Sequence, residues 1–227
     1  MTRIAIDKDL LDRLVASATP LPDVVPPVIA QPTLPMTDTP ASAILQPIPA
    51  NANSPAPPMA WGSKVSATFR ARIWWMACTL RMDPNWIMAC MAWESGESFS
   101  ASKKNMAGSG ATGLIQFMPD TAKGLGTTTA ALAAMTAEDQ VNFVYKYFKD
   151  AIERHGPLTT LEDTYMSILW PAAIGKPVSA PLWDKATKPT TYRQNAGLDT
   201  NKDGTITKFE AANHVREKLA KGLPLAA

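Results

Sequence analysis

Proline and aromatic residues are segregated along this chain, and that segregation decides what can fold. Of 20 prolines, 12 fall within residues 17–60, among Ala, Thr, Ser and Asn. All 17 aromatic side chains lie between Trp61 and Phe209. Aromatics bury roughly 150–250 Å² each and dominate a core. Residues 1–60 therefore cannot build a core like that of residues 61–227, whose length suits one domain. Three parts follow: a short amphipathic helix over 1–16, a Pro/Ala-rich tether over 17–60, and one globular domain over 61–227. In the first part Ile4, Leu10, Leu11, Leu14 and Val15 share a helical stripe amid charged residues, which reads as a docking peptide or a frayed terminus. Fully extended, the tether would span on the order of 130 Å at about 3.1 Å per residue.

Charge narrows the partners. Residues 61–227 carry 19 basic and 15 acidic groups, a mild excess that suits a polyanionic cell wall as well as an ordinary surface. It is too small to argue for nucleic acid, which calls for a clustered basic face. No apolar run reaches the roughly 18 residues of a membrane span, and the start, Met1-Thr2-Arg3-Ile4, lacks the layout of a signal peptide. Cys78 and Cys90 sit in apolar helical stretches and read as buried free thiols, with a disulfide as the alternative and the redox compartment undecided.

Within the domain the periodicity is helical. Val65, Phe69, Ile73, Met76 and Leu80 form a stripe over 64–81. Asp83-Pro84 is a helix start, with Asp as cap and Pro at the first position, and that helix ends at Ser95-Gly96. Residues 97–118 are loop-like. Short helices follow from Pro119 to Gly124 or Gly126 and over 127–134. A long one runs from Thr136 to His155, with Val141, Val144, Tyr145, Phe148 and Ile152 inward, and stops at Gly156-Pro157. Further helices are expected at about 161–169 and 208–220, with 176–198 irregular. No stretch shows strand alternation, so the fold class is mostly α. The Trp74-Trp75 pair is expected in the core, and His155 and His214 at the surface or at helix ends.

Glu94 is the carboxylate out of place. It ends a helix rich in Met and Trp, where desolvation by Trp93 and Met91 would favour its neutral form, as a general acid requires. Alone it could equally be a solvated last-turn Glu. Its surroundings are more specific. Glu94-Ser95-Gly96 is followed by Gly113-Leu114-Ile115-Gln116-Phe117, and Tyr165-Met166 lies on a later helix. This order of motifs, over roughly residues 70–215, resembles the soluble-type lytic transglycosylases, related to goose-type lysozyme. Ile115 stands where that family has Met, and Met166 where it has Asn. The stretch Pro171-Ala172-Ala173-Ile174-Gly175-Lys176-Pro177 resembles phage-encoded members.

The resemblance implies a lysozyme-like helical domain that cuts the β-1,4 bond between N-acetylmuramic acid and N-acetylglucosamine in peptidoglycan. Glu94 would be the catalyst, first acid and then base on the muramoyl C6 hydroxyl, leaving a 1,6-anhydro end. Ser95, Gly113, Ile115, Gln116, Phe117 and Tyr165 would hold substrate or line the cleft; for Phe117, core packing is an equal alternative. Ordinary glycosidases flank the bond with two carboxylates. The only nearby second candidate, Glu97, reads as a surface charge beyond the helix end. A lone carboxylate favours the anhydro product over muramidase hydrolysis.

Residues 199–210 fit the EF-hand loop at every position. Asp199, Asn201, Asp203 and Glu210 would bind calcium through side chains, Thr205 through its carbonyl and Thr207 through water. A single hand with a poor entry helix suggests a structural clamp, not a sensor. Delivery by a phage virion, with 1–16 docked on a phage structural protein, fits the leader. Release from the host cytoplasm as an endolysin is the close alternative, and an inactive, calcium-stabilised wall-binding tail module is the alternative from another class.

Overall fold

The computed structural model describes residues 56–105 and 108–227. The expected docking helix and nearly all of the expected tether lie outside the described residues. The last part of that tether does not. Met59 and Ala60 are fully buried in the core beside Trp61, and the Ala60 amide donates to Asn85 Oδ1 at 2.8 Å.

The described residues are mostly helical, as the periodicity demands. Helix α1 (Ala67–Leu80) starts at Ser66, whose hydroxyl accepts from the Phe69 amide, and buries Phe69, Ile73 and Met76. Helix α2 (Pro84–Ser95) starts on the Asp83 cap and stops at Gly96, which turns left-handed with φ 67°. It buries Ile87 through Ala92 without a break. A helix apolar all round belongs in the middle of a domain, and α2 is the core helix here.

Short helices α3 (Pro119–Gly124) and α4 (Thr129–Ala134) lead into α5 (Ala137–His155). The α5 N-cap is Thr136, acidic residues fill its first turn, and Arg154 and His155 close its last, in keeping with the helix dipole. Helix α6 (Leu161–Leu169) starts on the Thr160 cap. Helix α1 packs on α5 and on α2, and α2 is flanked by α6 and by the last helix. No helix among the described residues is long and apolar enough to cross a membrane.

The structure corrects the sequence reading in five places. Strand β1 (Pro181–Asp184) pairs antiparallel with β2 (Thr205–Thr207), Trp183 opposite Ile206. Strands of four and three residues are too short to show alternation. Helix α7 (Pro189–Asn195) occupies part of the stretch expected to be irregular. It gives the 199–210 loop an entry helix. The expected helix over 208–220 is two, α8 (Lys208–Ala211) and α9 (Asn213–Gly222), broken at Ala212. Cys78 is exposed, and only Cys90 is buried. Of the tryptophan pair, Trp74 is exposed, while Trp75 packs against Tyr145 with ring centroids 5.2 Å apart.

The two ends of the domain meet. The Trp61 amide donates to Gly222 O at 2.9 Å, and its indole N–H to Lys218 O at 2.9 Å. A Cβ on Gly222 would stand 2.2 Å from the Trp61 ring, so only glycine allows α9 to lie this close.

Candidate active site

Glu94 occupies the last turn of α2, half-buried, where the core helix reaches the surface. Its charge is felt by two buried neighbours. Burial first, and the Glu94 charge second, push the Cys90 thiol well above its ordinary range. Cys90 lies one turn back on α2. The same two causes, in the same order, raise the Tyr165 phenol, which is 2% exposed on α6. Tyr165 thus lies within reach of the Glu94 charge.

The indole of Trp93 joins them. Its Nε1–H donates to Tyr165 Oη at 3.1 Å. An indole nitrogen can only donate, so the phenol oxygen accepts there and keeps its own proton to give. One face of Trp93 lies on the ring of His214, at the start of α9, with centroids 4.5 Å apart and planes within 8°. The sequence placed His214 at the surface or a helix end; it does begin a helix, yet its ring packs against the residue preceding Glu94.

Beyond Glu94 the backbone turns sharply, with Gly96, Glu97 and Phe99 all at positive φ. Ser95 is fully buried, and its hydroxyl accepts from the Phe99 amide at 3.0 Å. The hydroxyl closes this turn, which is a structural task. Glu97 is not the free surface charge expected. It is hydrogen-bonded by Lys218 and lies 2.6 Å from Lys221 Nζ, both on α9. The Lys218 hydrogen bond, then that of Lys221, hold its carboxyl below the usual range. A carboxylate held ionised in this way has little use as a proton donor.

The Gly113–Phe117 segment is a tight turn. Thr112 and Phe117 exchange both backbone hydrogen bonds, at 3.0 and 2.8 Å. Gln116 is left-handed at φ 53°, and its side-chain amide donates to Lys103 O and Gly113 O. The fully buried Gln140 of α5 anchors the turn from below. Its Oε1 accepts from the Leu114 amide at 2.7 Å, and its Nε2 donates to Ala101 O and Leu132 O. A Cβ on Gly113 would stand 2.2 Å from Gln140 Oε1, which accounts for glycine there. Ile115 and Phe117 are core residues at 2% and 1% exposure. Phe117 meets Tyr147 edge to face, so the packing alternative for it holds and its ring is not open to a sugar. Tyr147 in turn donates to Ser167 O at 2.6 Å. Gln140 and Tyr147, both on α5, therefore tie the turn to the post-Glu94 backbone and to the helix of Tyr165. Sequence reading missed both. Gln140 gave no signal, since a buried polar residue breaks the apolar stripe it sits beside.

The 199–210 loop closes on itself. Asp199 Oδ2 accepts from the Tyr192 hydroxyl at 2.6 Å and the Gly204 amide at 3.0 Å. Its Oδ1 is buried and without a hydrogen-bond partner, and a buried carboxylate oxygen is costly to leave unpaired, which is compatible with a cation ligand. Asn201 and Asp203 bond to each other, and the Thr205 amide donates to Asp203 Oδ1. Burial raises the Glu210 carboxyl, but donors from Thr207, Asn201 and Thr200 outweigh it and its net shift is downward. Among the described residues no three His, Cys, Asp or Glu side chains are gathered into a metal-holding group. The residue types and the open Asp199 oxygen fit calcium, while the carboxylates at 203 and 210 are engaged with donors of the loop itself.

Residues 75–162 match the family of the transglycosylase SLT domain. The match takes in Glu94, the Gly113–Phe117 turn and Gln140, and ends three residues before Tyr165. It supports a lysozyme-like, peptidoglycan-directed transglycosylase activity in general. No curated protein matches the chain.

Proposed function

We propose that this protein cleaves the β-1,4 bond between N-acetylmuramic acid and N-acetylglucosamine, with Glu94 as its single acid/base catalyst and 1,6-anhydro-muramic ends as product. The observation that carries this reading is the grouping of half-buried Glu94 with the buried Tyr165 phenol, inside and beside the stretch that matches the SLT family. Glu94 protonates the glycosidic oxygen and then takes the proton of the muramoyl C6 hydroxyl, which attacks C1. The departing sugar leaves with the first proton, so no water is consumed. Tyr165, its oxygen accepting from Trp93, directs its proton toward Glu94 and steadies the ionised carboxylate. The ion-paired state of Glu97 supports a one-carboxylate route, since hydrolysis by inversion or retention needs a second group across the bond. The backbone of 113–116 and the exposed part of Gln116 form the cleft wall in this reading.

Glu94→Gln should abolish turbidity loss on purified peptidoglycan while the thermal melt stays within a few degrees of wild type. Activity retained in that variant would sink the assignment. Mass spectrometry of the digest decides the product: reducing muramic ends in place of anhydro ends would make the enzyme a hydrolase.

Delivery to the wall by a phage particle is the reading we carry for its biology. It rests on the Pro-rich leader and on the phage-like 171–177 stretch. Absence of the protein from purified particles that infect, with presence in the lysate, would favour the endolysin reading instead.

A further inference from the structure

We propose that His214 is a positioning residue for this site: its ring clamps the indole of Trp93, and the indole N–H thereby holds the Tyr165 hydroxyl in the direction that catalysis needs. The activity part rests on the glycan-cleaving reading above; the clamp itself does not.

Three observations carry it. First, the stack is unlike the other ring contacts. Trp93 and His214 lie within 8° of parallel, whereas the remaining described aromatic ring pairs cross at 54° or more. Offset stacks and edge-to-face contacts are both favoured arrangements for rings, but they constrain a ring differently. A flat stack fixes the plane of the indole, and with it the direction of Nε1–H.

Second, what that N–H meets is the site. It donates to Tyr165 Oη at 3.1 Å, and Trp93 immediately precedes Glu94 on the same helix. Rotation of the indole by a few tens of degrees would break the hydrogen bond and free the phenol to turn. Small misplacements of a reacting group can cost about 100-fold in rate.

Third, His214 is itself held. Its Nδ1 lies 3.4 Å from Glu217 Oε2, one turn along α9. Helix α9 is fastened to the turn after Glu94 by Lys218 and Lys221 on Glu97, and to Trp61 through Lys218 O. The platform under Trp93 is therefore tied to the same segment that carries the catalyst. Neither Trp93 nor His214 is a catalytic residue in this account. They set the geometry of one.

The test compares ring-deleting with ring-keeping variants of the full chain. His214→Ala should lower kcat on defined glycan oligomers by between about 10- and 100-fold, with KM changed less than about twofold. His214→Phe keeps a flat ring and should retain most of kcat. A generally structural role would damage both alike and would lower the melting temperature in step. Should H214A fail to fold, His214→Leu supplies similar bulk without a flat ring and takes its place. A second readout needs no activity: with 15N-labelled tryptophan, the Trp93 indole proton should exchange with solvent faster in H214A and at the wild-type rate in H214F. An unchanged kcat and an unchanged indole proton in H214A would overturn the clamp, and so would an H214F as impaired as H214A. If the wild-type protein leaves peptidoglycan intact while the indole proton is still exposed by H214A, the glycan-cleaving reading falls and the clamp stands.

Discussion

Two carboxylates three residues apart, Glu94 and Glu97, show how surroundings decide a residue's role. Glu94 sits in the last turn of a mostly apolar helix, near enough to the buried Tyr165 phenol for its charge to be felt there. Glu97 stands on a left-handed backbone with two lysines of α9 against it. Its carboxyl is depressed, by Lys218 first and Lys221 second. The folded state therefore binds that proton less readily than the unfolded chain does. The stability Glu97 contributes is complete above the ordinary carboxylate range and is lost as pH falls through the depressed value. Glu97→Gln should lower the melting temperature at neutral pH, and the gap from wild type should close as the solution is acidified below the usual range of a glutamate. The measurement is a pair of melts across pH. A gap that persists unchanged into acid would mean that the lysines do not act through the charge of Glu97. The two side chains are also partly exposed, so solvent screening keeps the effect small.

At the scale of elements, what could be read in advance depended on whether the signal was local. The caps Ser66 of α1 and Thr160 of α6 emerged only with the structure, whereas helices α1 and α5 announced themselves through stripes, and α2 and α5 through their starts at Asp83 and Thr136. The pair β1 and β2 did not, because strands this short hold together through register with each other and through Trp183 and Ile206, both fully buried. The break at Ala212 was equally hidden: Thr207 and Glu210 form a capping box for α8 alone, and nothing in the apolar spacing requires a second helix to begin after it. The site divides in the same way. Glu94, the Gly113–Gln116 turn and Tyr165 were legible as motifs. Their supports, Gln140, Tyr147 and His214, come from α5 and α9 and are recognisable only once those helices are packed. Phe117 illustrates the limit, since an aromatic in a cleft motif and an aromatic in a core have the same sequence signature; its burial against Tyr147 separates them.

At the scale of the molecule, the 199–210 loop is joined to the site by a buried ion pair. Lys208, the tenth loop residue, is 1% exposed, and its Nζ lies 2.5 Å from Asp163 Oδ1 on α6, two residues before Tyr165. The same nitrogen donates to Lys176 O, and the same oxygen accepts from the Gly175 amide. Buried pairs of this kind contribute little net stability against an apolar alternative, but removing one partner is costly because the other charge is stranded. The pair therefore fixes where the loop sits more than how stable the fold is. Calcium would act elsewhere in the loop, at the buried and unpartnered Asp199 Oδ1. An ion that binds only the folded chain adds about 2.7 kcal/mol at 100 times its dissociation constant. For a domain of this size each kcal/mol raises the melting temperature by about 2–4 °C. Saturating calcium should thus raise the melt by roughly 5–10 °C over an EGTA control, and Asp199→Asn should remove most of that rise. Coincident melts in calcium and EGTA would show that the loop holds its shape through its own hydrogen bonds, those of Tyr192, Gly204 and Thr207 among them, and that the resemblance of 199–210 to a calcium loop is one of sequence only. A rise that survives Asp199→Asn would place the ion elsewhere. A rise lost with Asp199 would make the loop a clamp, with Lys208 carrying its order across to the helix on which Tyr165 stands.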